Sequence, residues 1–172
     1  MTVPTIADRH PLIVKNITWQ DEASTESFAQ ALARRPAIGR ALIELQGDLG
    51  AGKTTFARHL LKSLGVQGRI KSPTYAVVEA YTLEGPEQPP GHNCAIAIWH
   101  FDFYRFNDPS EWEEAGFRDI FASPGLKLVE WPQKAGAHLP VPDLVIQIGL
   151  QDDESRLITL TAYTPTGTEL IA

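Results

Sequence analysis

The 172-residue sequence predicts an α/β fold, a mixed β-sheet flanked by helices with antiparallel hairpins added to it. Three observations carry that prediction. Strand-like apolar runs alternate with helix-patterned segments in the middle of the chain, the order in which crossover helices connect strands. A short apolar run, Ala41 to Gln46, leads through a glycine-rich turn directly into Gly52 to Leu64, whose apolar residues have helical spacing. Elsewhere, paired runs are joined only by polar connections, as in hairpins.

From the N-terminus, Leu12 to Trp19 reads as a strand, and Met1 to Pro11 as a tail ahead of a single domain spanning 12–172. Asp21 to Arg35 reads as an amphipathic helix opened by Asp, Glu and Ser. Ala41 to Gln46 is an apolar buried strand. Gly52 to Leu64 places Phe56, Leu60, Leu61 and Leu64 on one helical face and stops before Gly65, a residue suited to ending a helix. Tyr75 to Leu83 and Ala95 to Tyr104 are neighbouring antiparallel strands on either side of the Pro- and Gly-rich loop Glu84 to His92. Asp108-Pro109 opens a short helix that Gly116 ends. Leu126 to Trp131 is a short apolar strand. Asp143 to Leu150 and Arg156 to Tyr163 form a hairpin about the polar turn Gln151 to Ser155.

Composition narrows the function classes. With 43% hydrophobic and 21% charged residues, the chain has enough apolar content for a substantial core. No stretch approaches the roughly 18 consecutive apolar residues of a membrane span, and Met1 to Pro11 lacks a charged start followed by an apolar run, so a cytoplasmic location is expected. The single cysteine, Cys94, has no second thiol with which to form a disulfide or chelate a metal. A formal net charge of −6 argues against unaided nucleic-acid binding, which draws its affinity from clustered Lys and Arg. If RNA is involved, another protein holds it.

Gly47-Asp48-Leu49-Gly50-Ala51-Gly52-Lys53-Thr54 fits the Walker A pattern in the strand-to-helix setting that the pattern requires. Glycines let backbone N–H groups turn toward an anion, and the helix N-terminus adds partial positive charge. Lys53 reaches the outer phosphates, the Thr54 hydroxyl is placed to ligate Mg²⁺, and Thr55 continues the helix with a hydroxyl near the phosphates. The expected nucleotide contacts are Asp48, Leu49, Gly50, Ala51, Gly52, Lys53, Thr54 and Thr55.

Three other segments are chemically suggestive and, from their residues alone, ambiguous. In His100-Phe101-Asp102-Phe103-Tyr104-Arg105, strand alternation puts Trp99, Phe101 and Phe103 on one face, packed into the core, and His100, Asp102 and Tyr104 on the other. Asp102 is therefore either a functional carboxylate bordering a polar site or a satisfied surface residue, while an isolated His100 is more commonly structural. Glu130 ends the run Leu126 to Val129, where phosphate-loop sheets present a metal-binding carboxylate, although a strand-ending Glu also suits solvent. Trp131-Pro132 covers the sheet edge. Ser72-Pro73-Thr74-Tyr75 is a turn that presents two hydroxyls, either generic or a sensor of the γ-phosphate through Thr74.

Taken together and in order, GDLGAGKTT, SPTY, HFDFYR and VEWP resemble the TsaE (YjeE) family of small bacterial ATPases over Leu12 to Tyr163. The resemblance implies an ATP- and Mg²⁺-using accessory protein. Its implied partners are a tRNA threonylcarbamoyltransferase subunit and that subunit's dimerising paralogue, the TsaD and TsaB type proteins, which install threonylcarbamoyl on adenosine 37 of tRNAs reading codons that begin with A. It also implies Thr54 and Glu130 as Mg²⁺ ligands, Asp102 as the residue that orients or deprotonates the attacking water, and Thr74 and Lys53 as catalytic groups. Asp21 to Thr25 and Arg156 fall near the implied adenine. ATP rather than GTP follows from the resemblance, and the sequence has no guanine-reading NKxD motif. The chain departs from the family in a longer Glu84 to Asn93 loop, in Gln133 where Glu often follows the EW pair, and in the residues before Leu12. Two rival readings are a nucleotide-gated scaffold and a small-molecule kinase, the latter disfavoured because Glu84 to His92 contains no Lys or Arg. Arg105, after the outward-facing Tyr104, is expected to pair with an acidic residue, intramolecular or on a partner, more readily than to serve as an arginine finger.

Overall fold

The structure, a computed structural model, describes residues 9–84, 95–108 and 110–172. The expected loop after Glu84, Cys94, the first-turn Pro109 and most of the expected N-terminal tail fall outside those residues. Seven strands form one mixed sheet in the order β1-β7-β6-β2-β5-β4-β3. They are β1 (Ile13–Trp19), β2 (Leu42–Gln46), β3 (Val78–Leu83), β4 (Ile96–Asp102), β5 (Leu126–Glu130), β6 (Leu144–Leu150) and β7 (Arg156–Ala162). The neighbours β6, β2, β5 and β4 run parallel, while β3 and the β7-β1 pair attach antiparallel at the two sides. The expected α/β class, the β3-β4 antiparallel pair and the β6-β7 hairpin are all present.

Helices cover both faces of the central strands. Helix α1 (Glu22–Ala33) begins at Asp21, whose Oδ1 accepts from the Ser24 backbone N–H at 2.8 Å, and it buries Thr25, Ala29, Leu32 and Ala33 along one stripe. Helix α2 (Lys53–Leu64) buries Phe56, Ala57, Leu60, Leu61 and Leu64 and ends at Gly65 in a left-handed conformation. These two helices share a core with Ile43, Leu45, Leu128, Ile146 and Ile158 of the sheet. On the opposite face, α3 (Ser110–Glu114), α4 (Phe117–Ala122) and a 3-10 turn over Pro132–His138 enclose an aromatic core containing Phe101, Phe103, Phe106, Trp112 and Phe117. Gly116 has φ 73° and its N–H donates to the Glu113 carbonyl, so it closes α3 as expected and turns the chain into α4. The C-terminal α5 (Pro165–Ile171) returns to the first core through Leu170 and Ile171.

Strand register is what builds the site. In the parallel ladder Leu45 lies beside Glu130, and Glu130 beside Asp102. The carboxyl ends of β2, β5 and β4 are therefore level, and whatever follows β2 meets the last residues of the other two at the sheet edge where α/β folds bind ligands.

Candidate nucleotide site

Gly47 leaves β2 with φ 153°, and a Cβ there would stand 2.6 Å from the Ile148 carbonyl oxygen and 3.1 Å from Ala51 Cβ. Only glycine lets the loop turn this tightly against β6. Gly52, with φ 111°, brings the loop into the first turn of α2, whose free N–H groups face the same opening. Leu49, Gly50, Gly52, Lys53, Thr54 and Thr55 then line a cleft of about 270 Å³ together with Thr74, Asp102, Tyr104, Glu130 and Trp131. The four sequence segments that carry the family resemblance thus converge on one concavity.

Lys53 is nearly enclosed. Its Nζ donates to the Gly47 carbonyl at 2.5 Å and the Asp48 carbonyl at 3.0 Å, and it lies 4.3 Å from the centre of the Trp131 ring. Burial pulls its pKa down, against the opposing pull of Glu130, Asp102 and Asp48. The ammonium thus bonds its own loop. Trp131, read from the sequence as an edge cover, instead forms a wall of the cleft and holds a left-handed backbone at φ 55°.

Behind the lysine, the Thr54 hydroxyl donates to Glu130 Oε1 at 2.8 Å, and His100 Nε2 meets Glu130 Oε2 at 2.7 Å. Glu130 is 1% exposed, so the solvent-facing alternative does not apply to it. Asp102 is 4% exposed, and its Oδ2 accepts from Thr74 Oγ1 at 3.0 Å while Oδ1 accepts from the Tyr104 N–H at 2.9 Å. Burial raises the Asp102 pKa and the neighbouring Glu130 charge adds to the rise, while those donors and His100 oppose it. Ser72 Oγ lies 2.8 Å from Thr74 Oγ1, which ties the SPTY turn to the carboxylate.

Arg156, expected near the base, donates from Nε to the Ala51 carbonyl at 2.8 Å and borders a second cavity of about 100 Å³ with Glu22, Thr25, Gly52 and Thr55. The structure brings the α1 start and Arg156 together at the flank of the loop.

His100 and Asp102 share a strand face, as alternation implies, and that face is buried beside the polar cleft: His100 is 0% exposed, because β4 is covered on both sides. Arg105 has no acidic partner among the described residues, which bears on the intramolecular half of the expected pairing alone; its guanidinium stacks 4.0 Å above the Tyr75 ring. Sequence reasoning missed the His100 to Glu130 contact and the Lys53 to Trp131 stack. The signal for the first was present, since HFD and VEW both end strands, but the β4-β5 register that joins them depends on tertiary pairing.

The donor set suits a small hard cation. Thr54, Glu130 and Asp102 supply oxygens, and no group of three or more His, Cys, Asp or Glu side chains among the described residues forms an all-protein cage. Mg²⁺ is commonly held by one or two carboxylates plus substrate phosphates, so the residues present fit it.

The family model for threonylcarbamoyl adenosine biosynthesis protein TsaE matches residues 19–158. The tRNA threonylcarbamoyladenosine biosynthesis protein TsaE of Haemophilus influenzae is 40% identical over 147 residues, 86% of each chain. Its Bacillus subtilis counterpart is 32% identical over 151 residues, 87% of each chain. Among solved structures, the crystal structure of YdiB from Bacillus subtilis superposes with a TM-score of 0.68 at 28% identity, covering 92% of this chain and 93% of that one.

Proposed function

The chain belongs to the TsaE family, and from that premise we propose that it is a cytoplasmic Mg²⁺-dependent ATPase whose hydrolysis depends on partner proteins. Its relatives are named for tRNA threonylcarbamoyladenosine biosynthesis. The reaction served is accordingly threonylcarbamoylation of adenosine 37, with TsaD and TsaB type partners holding the tRNA and transferring the group. The observation that carries this reading is the meeting of the Gly47 to Thr54 loop with two buried carboxylates, Glu130 and Asp102, in one cleft.

The loop N–H groups and the start of α2 bind the phosphates. Lys53 exchanges the Gly47 and Asp48 carbonyls for the outer phosphate oxygens. Thr54 and Glu130 would hold Mg²⁺, which would supply positive charge to offset that of the phosphates. Asp102 has a raised proton affinity and lines the same cleft as the loop, so it orients the attacking water and accepts its proton. Thr74 holds Asp102 in place and offers its hydroxyl to the γ-phosphate side. Glu22, Thr25 and Arg156 flank the adenine end.

One part is missing from the described residues. Phosphoryl transfer benefits from a second positive charge on the γ-phosphate, and an arginine finger contributes on the order of 10³–10⁵ in rate. Arg105 is occupied with Tyr75. Hydrolysis by the isolated chain is therefore slow, and a partner docking at the mouth that exposes Leu49, Tyr75 and Tyr104 completes the site.

Titrating the purified protein with ATP and GTP, with and without Mg²⁺, tests the binding half of this reading. ATP should bind more tightly, and Mg²⁺ should strengthen it. Equal affinity for both nucleotides, or none for either, contradicts it.

A further inference from the structure

His100 has no part in the roles assigned so far, yet it is completely buried and in contact with the carboxylate expected to face the metal. It lies on β4 opposite Leu128, two positions before the Asp102 to Glu130 pair. Same-face residues two apart along a strand are diagonal neighbours across a ladder, so the imidazole reaches Glu130 from below. The carboxylate is consequently held at both oxygens, Oε1 by the Thr54 hydroxyl at 2.8 Å and Oε2 by His100 Nε2 at 2.7 Å.

The other ring nitrogen settles which way the second bond runs. Among the described residues, His100 Nδ1 is buried with no hydrogen-bond partner. A buried N–H lacking an acceptor is among the least tolerated groups in a protein interior. The proton of the ring therefore belongs on Nε2, where it is donated to Glu130, and Nδ1 is left bare.

We propose that His100 is a positioning residue for the metal-facing carboxylate: its Nε2–H holds Glu130 Oε2, so that Oε1 stays against the Thr54 hydroxyl, ready for Mg²⁺ before nucleotide arrives. The inference rests on the reading of Thr54 and Glu130 as the Mg²⁺ side of the cleft. With His100 removed, Glu130 keeps a single tether and its carboxylate rotates freely in the space left behind. Hydrogen-bond partners of metal ligands typically account for about 10–100-fold in metal affinity.

Two isosteric substitutions separate this role from simple packing. In Gln the amide nitrogen extends to the position of the imidazole Nε2; in Asn it coincides with Nδ1, where there is nothing to bond. Affinity for a fluorescent ATP analogue is measured with excess Mg²⁺ and in EDTA, and the ratio of the two reports Mg²⁺ enhancement. His100→Asn should lower the ratio about 10–100-fold while leaving the EDTA affinity as in wild type. His100→Gln should keep the ratio close to wild type. Adding His100→Asn to Glu130→Gln should cost nothing beyond Glu130→Gln alone, because both act through one contact. Nitrogen chemical shifts of the wild-type imidazole should show the proton on Nε2, a readout independent of any variant's folding. An unchanged ratio in His100→Asn, equal loss in both variants, loss of EDTA affinity to the same degree, or a proton on Nδ1 overturns the inference. A wild-type protein whose nucleotide affinity ignores Mg²⁺ instead sinks the metal reading on which it rests.

Discussion

Replacing Glu44 by Gln should make the protein more stable at neutral and alkaline pH. Glu44 lies in the middle of β2, 6% exposed, on the sheet face opposite α2. It borders a cavity of about 300 Å³ lined by Gln46, Gln133, Gly136 and the apolar Pro132, Ala137 and Leu139, none of them cationic. Among the described residues, its one side-chain hydrogen bond comes from Gln46 Nε2 at 3.2 Å. Burial pushes the Glu44 pKa from an ordinary 4.5 up to about 7, against that weaker opposing bond. A pKa raised on folding means that the native state binds the proton more tightly than the unfolded chain does. The contribution is thus fully present below about 4.5 and is lost as pH rises through about 7. The shift of 7 − 4.5 = 2.5 corresponds to about 3 kcal/mol, an upper value because the cavity lets water approach the carboxylate. For a chain of this size that amounts to about 6–12 °C in Tm. Urea unfolding followed by circular dichroism from pH 4.5 to 8.5, on wild type and Glu44→Gln, isolates the effect as a difference between two curves. The curves should meet at the acid end and separate steadily toward pH 8, with the variant above. Parallel curves, or a variant less stable at pH 8, would show that burial does not raise the Glu44 proton affinity.

Lys53→Ala removes a charge-assisted contact worth about 1.5–3 kcal/mol, so nucleotide affinity measured by calorimetry should fall about tenfold to more than a hundredfold while far-UV circular dichroism is unchanged. Unchanged affinity would remove the Gly47 to Thr54 loop from phosphate binding. Glu130→Gln should abolish most of the Mg²⁺ enhancement of ATP binding and leave the EDTA affinity in place, since an amide is a poorer ligand for a hard cation than a carboxylate. Full enhancement in that variant would exclude Glu130 as a ligand.

Much of this architecture is legible in the sequence because a few local signals are strong. The phosphate loop announces itself through Gly47, Gly52, Lys53 and Thr54, and helix α2 through its apolar spacing and Gly65. Asp21 marks the start of α1, where its carboxylate caps the Ser24 N–H. The short elements are less visible. Helix α5 has only seven residues, too few for an apolar period, and its opening by Thr164 and Pro165 emerges in the folded chain. Strand alternation correctly groups His100 with Asp102, but it does not tell that both faces of a parallel central strand are covered. Reading Ala41 to Gln46 as simply apolar likewise passes over Glu44, whose unusual proton affinity comes from helices and turns far away in sequence. The order β6-β2-β5-β4 is set by tertiary pairing, so the contact of His100 with Glu130 and that of Asp102 with Thr74 become visible only in the folded chain.

Cleavage of ATP through Asp102, once a partner completes the cleft, is the proposed activity. Its most direct test is single-turnover ATP cleavage by wild type and Asp102→Asn, each alone and with the TsaD and TsaB type partners. Asparagine keeps nearly the same shape and cannot accept the water's proton. Isolated wild type should cleave slowly and accelerate strongly on partner addition, while the variant should still bind ATP and partners but gain no acceleration. Fast cleavage by the wild type alone would contradict dependence on assembly, and undiminished acceleration of Asp102→Asn would contradict the role given to Asp102.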